Sequence, residues 1–470
     1  MFLCREKELQ NLNERFKSRE MQCIIIYGRR RVGKTALINE FCKNKPTIYF
    51  PALNSNSSDN LAALSQAIHA FYHPDTVTAP VYASYDDALR EITRIVKTKH
   101  TILVIDEFPY LAKSEPSISS RLQHLLDNEW KDSKLFLILC GSSMSYMEKE
   151  VLSEKSPLFG RRTAQIKLQP LNYLDTAKFH PELSPENNAL IYGITGGIPH
   201  YINKLNVNGS IKEALIRNFF DPSAYLFEEP GNLLKQELRE PALYNSIITS
   251  IANGASKISE IAEKSKTEPA VCSKYLKVLE ELEIIKKIEP VVDKNAKKKY
   301  YRITDNFFRF WYRFIPKNMM VISSGNIERV FDMAIQSFIP EYMGLVFEEI
   351  CRQYLISHME TLPFFLSELG EWWGTDPAKK KEAQLDIVGT GFPGGNSREG
   401  MNYIIGSCKY RNEIIGTDEL ALIEEYASLF THNRDKCFYY IFSKSGFTKG
   451  LQEKQASGEA TLLTLEDIYR

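Results

Sequence analysis

Gly28-Arg29-Arg30-Arg31-Val32-Gly33-Lys34-Thr35 has the spacing G-x-x-x-x-G-K-T. An apolar run, Cys23 to Tyr27, precedes it, and a helix-like stretch, Ala36 to Phe41, follows. Strand, glycine-bearing turn and helix, in that order, is the setting in which this spacing cradles phosphate. Gly28 and Gly33 let backbone N–H groups curl around phosphate oxygens, and the helix N-terminus adds partial positive charge at the same point. Arg31 and Val32 fall in the stretch expected to line the nucleotide. Lys34 is placed to reach the terminal phosphates, and the Thr35 hydroxyl to ligate Mg2+. The alternative, a chance strand–helix turn, leaves the filled positions unexplained. The expected ligand is ATP or GTP.

A second stretch supports the first. Thr101 to Ile105 is a buried-strand pattern ending in Asp106 and Glu107. An acid at such a strand tip helps hold Mg2+, and Asp106 fits that role. A neighbouring acid can polarise the attacking water, which is the expectation for Glu107. The bland alternative is a strand capped by solvated acids. A third apolar run, Leu135 to Cys140, ends in Gly141-Ser142-Ser143. Ser142 or Ser143 is a candidate sensor of the terminal phosphate, against an ordinary strand-end turn.

Composition bounds the rest. The chain has 470 residues, too many for one ordinary core, so two to four domains are expected. Hydrophobic content of 43% and charged content of 25% suit a globular protein, and net charge is zero, so any nucleic-acid contact must come from a local patch. The eight cysteines are scattered without a C-x-x-C pair, which points to reduced buried thiols and a cytoplasmic setting. No signal-peptide pattern opens the chain, and no apolar run approaches the roughly 18 residues of a membrane span.

The first part alternates strands (22–27, 47–52, 101–106, 135–140, 164–168) with helical patterns (36–43, 60–73, 85–97, 117–130). That alternation predicts an α/β fold with a parallel, doubly wound sheet. A strand at 47–52 falls between the phosphate-loop strand and the Asp106 strand, an insertion that separates this chain from kinase-like and GTPase-like proteins. From 171 to about 285 the pattern is helical. The expected domains are 1–170, 171–238, 239–325 and 326–470.

The opening, Phe2-Leu3-Cys4-Arg5-Glu6-Lys7-Glu8-Leu9, together with the loop at 28–35, Asp106-Glu107-Phe108-Pro109 and Ser156-Pro157-Leu158-Phe159-Gly160-Arg161, resembles the archaeal-type ATPases. That group is allied to the STAND signalling ATPases within the AAA-like class. Cys4 stands where the family usually has glycine. The resemblance implies ATP with Mg2+, base-pocket roles for Arg5 and Glu6, and a phosphate-directed arginine at Arg161, in its own subunit or a neighbour's. The alternative for Arg161 is a surface pair with Arg162. Gly193 to Tyr201 resembles the family's lid motif, and its Gly197-Ile198-Pro199 is similar to the G-x-P element of STAND proteins. Pro199 is therefore expected to report the nucleotide state, and the Gly/Pro break to act as a hinge.

Residues 241–303 read as helix, helix, turn, helix and two short strands, which resembles a winged helix-turn-helix. Val271 to Leu279 would be its recognition helix, with Lys294, Lys297, Lys298 and Lys299 in the wing. Over 255–304 there are 12 basic and 8 acidic residues. Such a domain either binds double-stranded DNA or only packs against its neighbours.

From about 330 the chain resembles PD-(D/E)xK nuclease-like domains of unknown function. Glu348, Asp386 and Lys409 fill three of the expected positions. Ser407 stands where a glutamate belongs and Gln384 where a second acid is frequent, so a weakened or inactive site is expected.

These readings converge on an ATP-binding and ATP-hydrolysing switch that couples nucleotide state to DNA or to a protein partner, with room for an oligomer. The competing readings are an ATP-dependent nuclease and a nucleotide-stabilised scaffold with little turnover. No guanine-reading N-K-x-D follows the acidic strand.

Overall fold

The computed structural model describes residues 2–75, 78–205, 207, 209–292, 299–391 and 400–470. Lys294, Lys297 and Lys298 of the expected wing lie outside the described residues, as do residues 392–397 of the Gly/Pro/Asn-bearing stretch 391–397, which the sequence reads as a loop. The chain forms two compact units. One is Met1–Pro170 with Ile198–His200, and the other is Leu171–Gly197 with Tyr201–Arg470.

The first unit is built on five parallel strands: β1 (Gln22–Tyr27), β2 (Thr47–Pro51), β3 (Thr101–Asp106), β4 (Leu135–Gly141) and β5 (Ala164–Lys167), in the order β2-β3-β4-β1-β5. Every residue of β1, β3 and β4 is buried. A strand covered on both faces reads as a continuous apolar run because neither face meets water. Burying each Ile or Leu contributes about 1.5–3 kcal/mol, so Ile24, Ile25, Ile26 and Leu135 to Leu139 anchor the unit.

The strand order corrects one expectation. The segment at 47–51 does precede the Asp106 strand in sequence, but it forms the sheet edge beyond β3. The strand that separates the phosphate-loop strand from the Asp106 strand in space is β4. Strand insertion is a long-range pairing choice, and the local pattern does not encode it.

The second unit begins with helices up to Glu237. Three helices follow, Pro241–Ala252, Ile258–Lys264 and Pro269–Glu281, with an antiparallel pair β6 (Ile285–Ile288) and β7 (Tyr300–Ile303). The aromatic cluster at 307–314 belongs to a helix, Asn306–Ser323, whose Phe307, Phe308, Phe310 and Phe314 are buried. After the helix Ile339–Ser357 comes a second five-stranded sheet: β8 (Glu368–Asp376), β9 (Lys381–Gly391), β10 (Asn402–Lys409), β11 (Cys437–Ser443) and β12 (Thr461–Thr464). Its order is β12-β11-β10-β9-β8, with β8, β9 and β10 antiparallel and β10, β11 and β12 parallel. Trp372 sits in its core against Phe430, while Trp373 is half-buried against Tyr300. The whole is α/β, with two five-stranded sheets and the two-stranded β6–β7 pair among the described residues.

Candidate functional site

The turn after β1 is held open by backbone geometry. Gly28 has φ +152°, and a Cβ there would lie 2.4 Å from the Leu168 carbonyl oxygen, so only glycine fits. Gly33, at φ +99°, starts the helix Lys34–Cys42. Lys34 is buried, and its Nζ donates to the carbonyls of Gly28 and Arg29 at 2.9 Å each, closing the loop on itself. Burial pushes the Lys34 ammonium below the usual lysine value, and Cys140, Glu107 and Asp106 pull it back up.

The tips of β2, β3 and β4 meet the start of that helix. Thr35 Oγ1 donates to Asp106 Oδ2 at 3.1 Å, and the Tyr49 hydroxyl donates to the same oxygen at 2.6 Å. The other oxygen, Oδ1, accepts from the Glu107 backbone N–H at 3.0 Å. Glu107 adopts a left-handed backbone, φ +53°, a conformation that costs a non-glycine residue about 1–2 kcal/mol. Its Oε2 accepts from Ser142 Oγ at 2.9 Å and from Ser142 N–H at 3.2 Å. Ser142, expected at the terminal phosphate, here holds Glu107. Tyr49 has no counterpart in the motif reading. Its signal was the half-buried alternation of β2, which sets Tyr49 apart from the fully buried Ile48 and Phe50.

A hydroxyl and a carboxylate side by side, under a buried ammonium and a glycine-shaped loop, are the donor set that Mg2+ and a triphosphate require. The residues present fit both groups.

The other expected residues take the following places. Arg5 is buried and donates to the carbonyls of Val32 (3.1 Å) and Gln169 (2.7 Å), so it buttresses the phosphate loop from behind. Glu6 is exposed at the start of the helix Glu6–Lys17. Cys4 has φ +64°, which gives a physical reason for glycine at this position in the resembling family. Arg31 also has positive φ, and Val32 is fully buried. Arg161 forms a bidentate pair with Asp127 (2.7 and 2.8 Å) and also donates to the carbonyls of Pro157 and Phe159. Any action on a phosphate would first have to break that pair. Pro199 packs beside the phosphate loop, its Cγ 3.9 Å from where a Cβ on Gly33 would be. Gly196 and Gly197 just before it have φ +62° and +68°, and a Cβ on Gly197 would lie 1.9 Å from the Leu171 carbonyl oxygen.

In the second unit the register of β9 against β10 brings Asp386 alongside Ser407. Asp386 Oδ2 accepts from Cys408 N–H at 2.8 Å and lies 3.9 Å from Lys409 Nζ. Glu348 approaches from the helix Ile339–Ser357 with Arg352, whose Nη1 lies 3.6 Å from Glu348 Oε2 and donates to the Asp386 carbonyl at 3.0 Å. Burial, and then the Asp386 charge, push the Glu348 carboxyl up to about 7. The unexpected member is Glu419, from the helix Thr417–Ala427. It accepts from Ser407 Oγ at 2.7 Å and pairs with Lys409 Nζ at 3.1 Å. A carboxylate therefore reaches the place where Ser407 had implied none. Glu419 escaped the sequence reading because its helix carries several acids, and only the fold singles one out. Among the described residues no three His, Cys, Asp or Glu side chains are grouped so as to hold a metal ion.

Comparison with known proteins bears on the nucleotide site directly. A family described as an ATPase domain predominantly from Archaea matches residues 2–205, and one described as "Archaea bacterial proteins of unknown function" matches residues 311–421. The chain is 35% identical to an uncharacterized protein of Methanocaldococcus jannaschii over 377 residues, 79% of this chain and 82% of that one. Over 45 residues, 10% of this chain and 76% of the relative, it is 49% identical to an uncharacterized ATP-binding protein of the same organism. The fold is similar to the Walker-type ATPase of Pyrococcus abyssi, with TM-score 0.51 and 18% identity over 67% of this chain and 96% of that one. Among the described residues no helix is long and apolar enough to cross a membrane.

Proposed function

This chain belongs to the archaeal ATPase family, and on that premise we propose that it is an ATP-hydrolysing switch. The observation that carries the reading is the meeting of Thr35 and Asp106, which are 71 positions apart in sequence and 3.1 Å apart in space. Lys34 and the loop amides bind the phosphates. Thr35 and Asp106 would hold Mg2+, whose charge screens the phosphate oxygens when bound. Tyr49 orients Asp106. Glu107 orients water and accepts its proton, and Ser142 fixes the position of the Glu107 carboxylate.

The output of the switch passes through the Gly196-Gly197-Ile198-Pro199 break. Pro199 lies beside Gly33 of the loop, and the two glycines occupy backbone conformations suited to a hinge. The three-helix segment and the β6–β7 pair support a winged-helix reading, with double-stranded DNA and a protein partner as the two candidate partner classes. Magnesium-dependent ATP turnover with and without duplex DNA tests both levels. Turnover without DNA stimulation keeps the ATPase and removes the DNA reading.

One observation favours a second reading, a nuclease-like activity of the C-terminal sheet. Glu419 supplies a carboxylate beside Asp386 and Lys409. Metal-dependent DNA cleavage that is lost in both Asp386→Ala and Glu419→Ala supports it. No cleavage by the full chain removes it.

A further inference from the structure

A cavity of about 270 Å³ opens in the second unit among the helix Pro241–Ala252, β7 and the helices Asn306–Ser323 and Ile339–Ser357. Its walls are mostly apolar, with Ile251, Ala255, Ile303 and Leu345 beside the rings of Tyr301 and Tyr342. Three arginines border it, and they are not equivalent. Arg302 is paired with Glu371 at 2.7 Å, and Arg313 with Glu341 at 2.9 Å. Among the described residues no acid pairs with Arg309 in this way. One Nη donates to Asn306 Oδ1 at 2.6 Å, the guanidinium lies 5.3 Å from the centre of the Tyr342 ring, and its Nε is buried without a hydrogen-bond acceptor.

A cavity-lining guanidinium with no paired acid gains an ion pair when a ligand brings an anion to it. One cation without a paired acid matches a monoanion. A phosphate dianion would leave a negative charge in an apolar cavity without a partner. The walls require the rest of the ligand to be apolar, and the tyrosine rings favour a flat body. We propose that this cavity binds a small apolar carboxylate, with its carboxylate on the Arg309 guanidinium and its body against Tyr342 and Leu345.

The location gives such a ligand a consequence. The Tyr342 hydroxyl lies 2.5 Å from the Gly193 carbonyl oxygen and 3.0 Å from that of Asn306, with its one hydrogen to donate between them. Gly193 lies in the helix Pro185–Thr195, which ends at Gly196. A ligand that orders the Tyr342 ring therefore acts on the helix leading into the glycine–proline break. The cavity makes no use of the nucleotide site, so the proposal stands or falls separately from it.

The test is titration of the full chain with benzoate, with 3-methylbutanoate, and with benzamide as the neutral control, by calorimetry and ligand-observed NMR. At least one carboxylate is expected to bind with a Kd of about 1 mM or tighter, and benzamide about tenfold more weakly than benzoate. Arg309→Met should abolish the preference for benzoate over benzamide. Leu345→Trp, which fills the cavity from a partly exposed position, should abolish binding of all three while leaving the unfolding transition in place. Failure of both carboxylates to bind overturns the proposal. So does carboxylate binding that is unchanged in Leu345→Trp, whatever the folding of Arg309→Met.

Discussion

Thr35 Oγ1 lies 3.1 Å from Asp106 Oδ2, joining the helix that follows the phosphate loop to the tip of a strand that is not its neighbour in the sheet. The Tyr49 hydroxyl donates to the same oxygen from the sheet edge. An outer partner of a metal-binding carboxylate fixes its orientation, and its loss typically weakens metal affinity about tenfold or more. Tyr49→Phe is therefore expected to raise the Mg2+ concentration for half-maximal turnover about tenfold, with the KM for ATP at saturating Mg2+ little changed. Kinetics across a magnesium series check it. Equal shifts in both constants would make Tyr49 a packing residue only.

Glu107 combines a left-handed backbone with a carboxylate fixed by Ser142. Strain held at a residue that packing does not require is a mark of function. Glu107→Gly should relieve about 1 kcal/mol of backbone cost and raise the unfolding midpoint, while lowering turnover about a hundredfold or more. Glu107→Gln should lose turnover to a similar degree and still bind ATP. Thermal unfolding and nucleotide titration separate the two effects. Full turnover in Glu107→Gln would leave the scaffold reading in its place.

The hinge has a steric signature. A Cβ at Gly197 would meet the Leu171 carbonyl at 1.9 Å, and φ is +68°. Gly197→Ala should destabilise the protein by about 2 kcal/mol or more, since neither the clash nor the conformation is tolerated. Gly254→Ala also has positive φ but open space around it, and should cost about 1 kcal/mol or less. Chemical denaturation of the pair measures the difference.

Glu348 gives the C-terminal sheet a pH dependence. Burial and Asp386 raise its carboxyl to about 7. A carboxyl raised on folding binds more protons in the native state. Its contribution is therefore complete below the unfolded value near 4.5 and is lost as pH rises through about 7. Glu348→Gln removes that loss. Relative to the parent, the variant should gain stability between pH 5 and pH 8, by up to roughly 3 kcal/mol. Denaturation midpoints at those two pH values read the change. An offset that does not vary with pH would contradict the assignment.

Legibility followed the range of the interactions. The phosphate loop, β1, β3 and Asp106 were plain in the sequence because each is set by a contiguous run and its immediate turn. Strand order was not plain, and β4 rather than β2 proved to be the inserted neighbour of β1. Tyr49 and Glu419 were missed for a related reason. Each reaches its carboxylate or lysine partner only through sheet register or helix docking. The Ser142 contact with Glu107 is not legible in the sequence, since a strand-tip hydroxyl can face either a ligand or the acid on the next strand. Arg5 drew notice through family likeness, and its contacts give it a structural task, bracing Val32 from behind.

The most direct test is Mg2+-dependent ATP hydrolysis by the purified full chain beside Lys34→Ala and Asp106→Asn. The account predicts measurable turnover that requires Mg2+ and falls about a hundredfold or more in each variant, with nucleotide binding lost mainly in Lys34→Ala. Turnover that survives Lys34→Ala, or that proceeds equally without Mg2+, would contradict it.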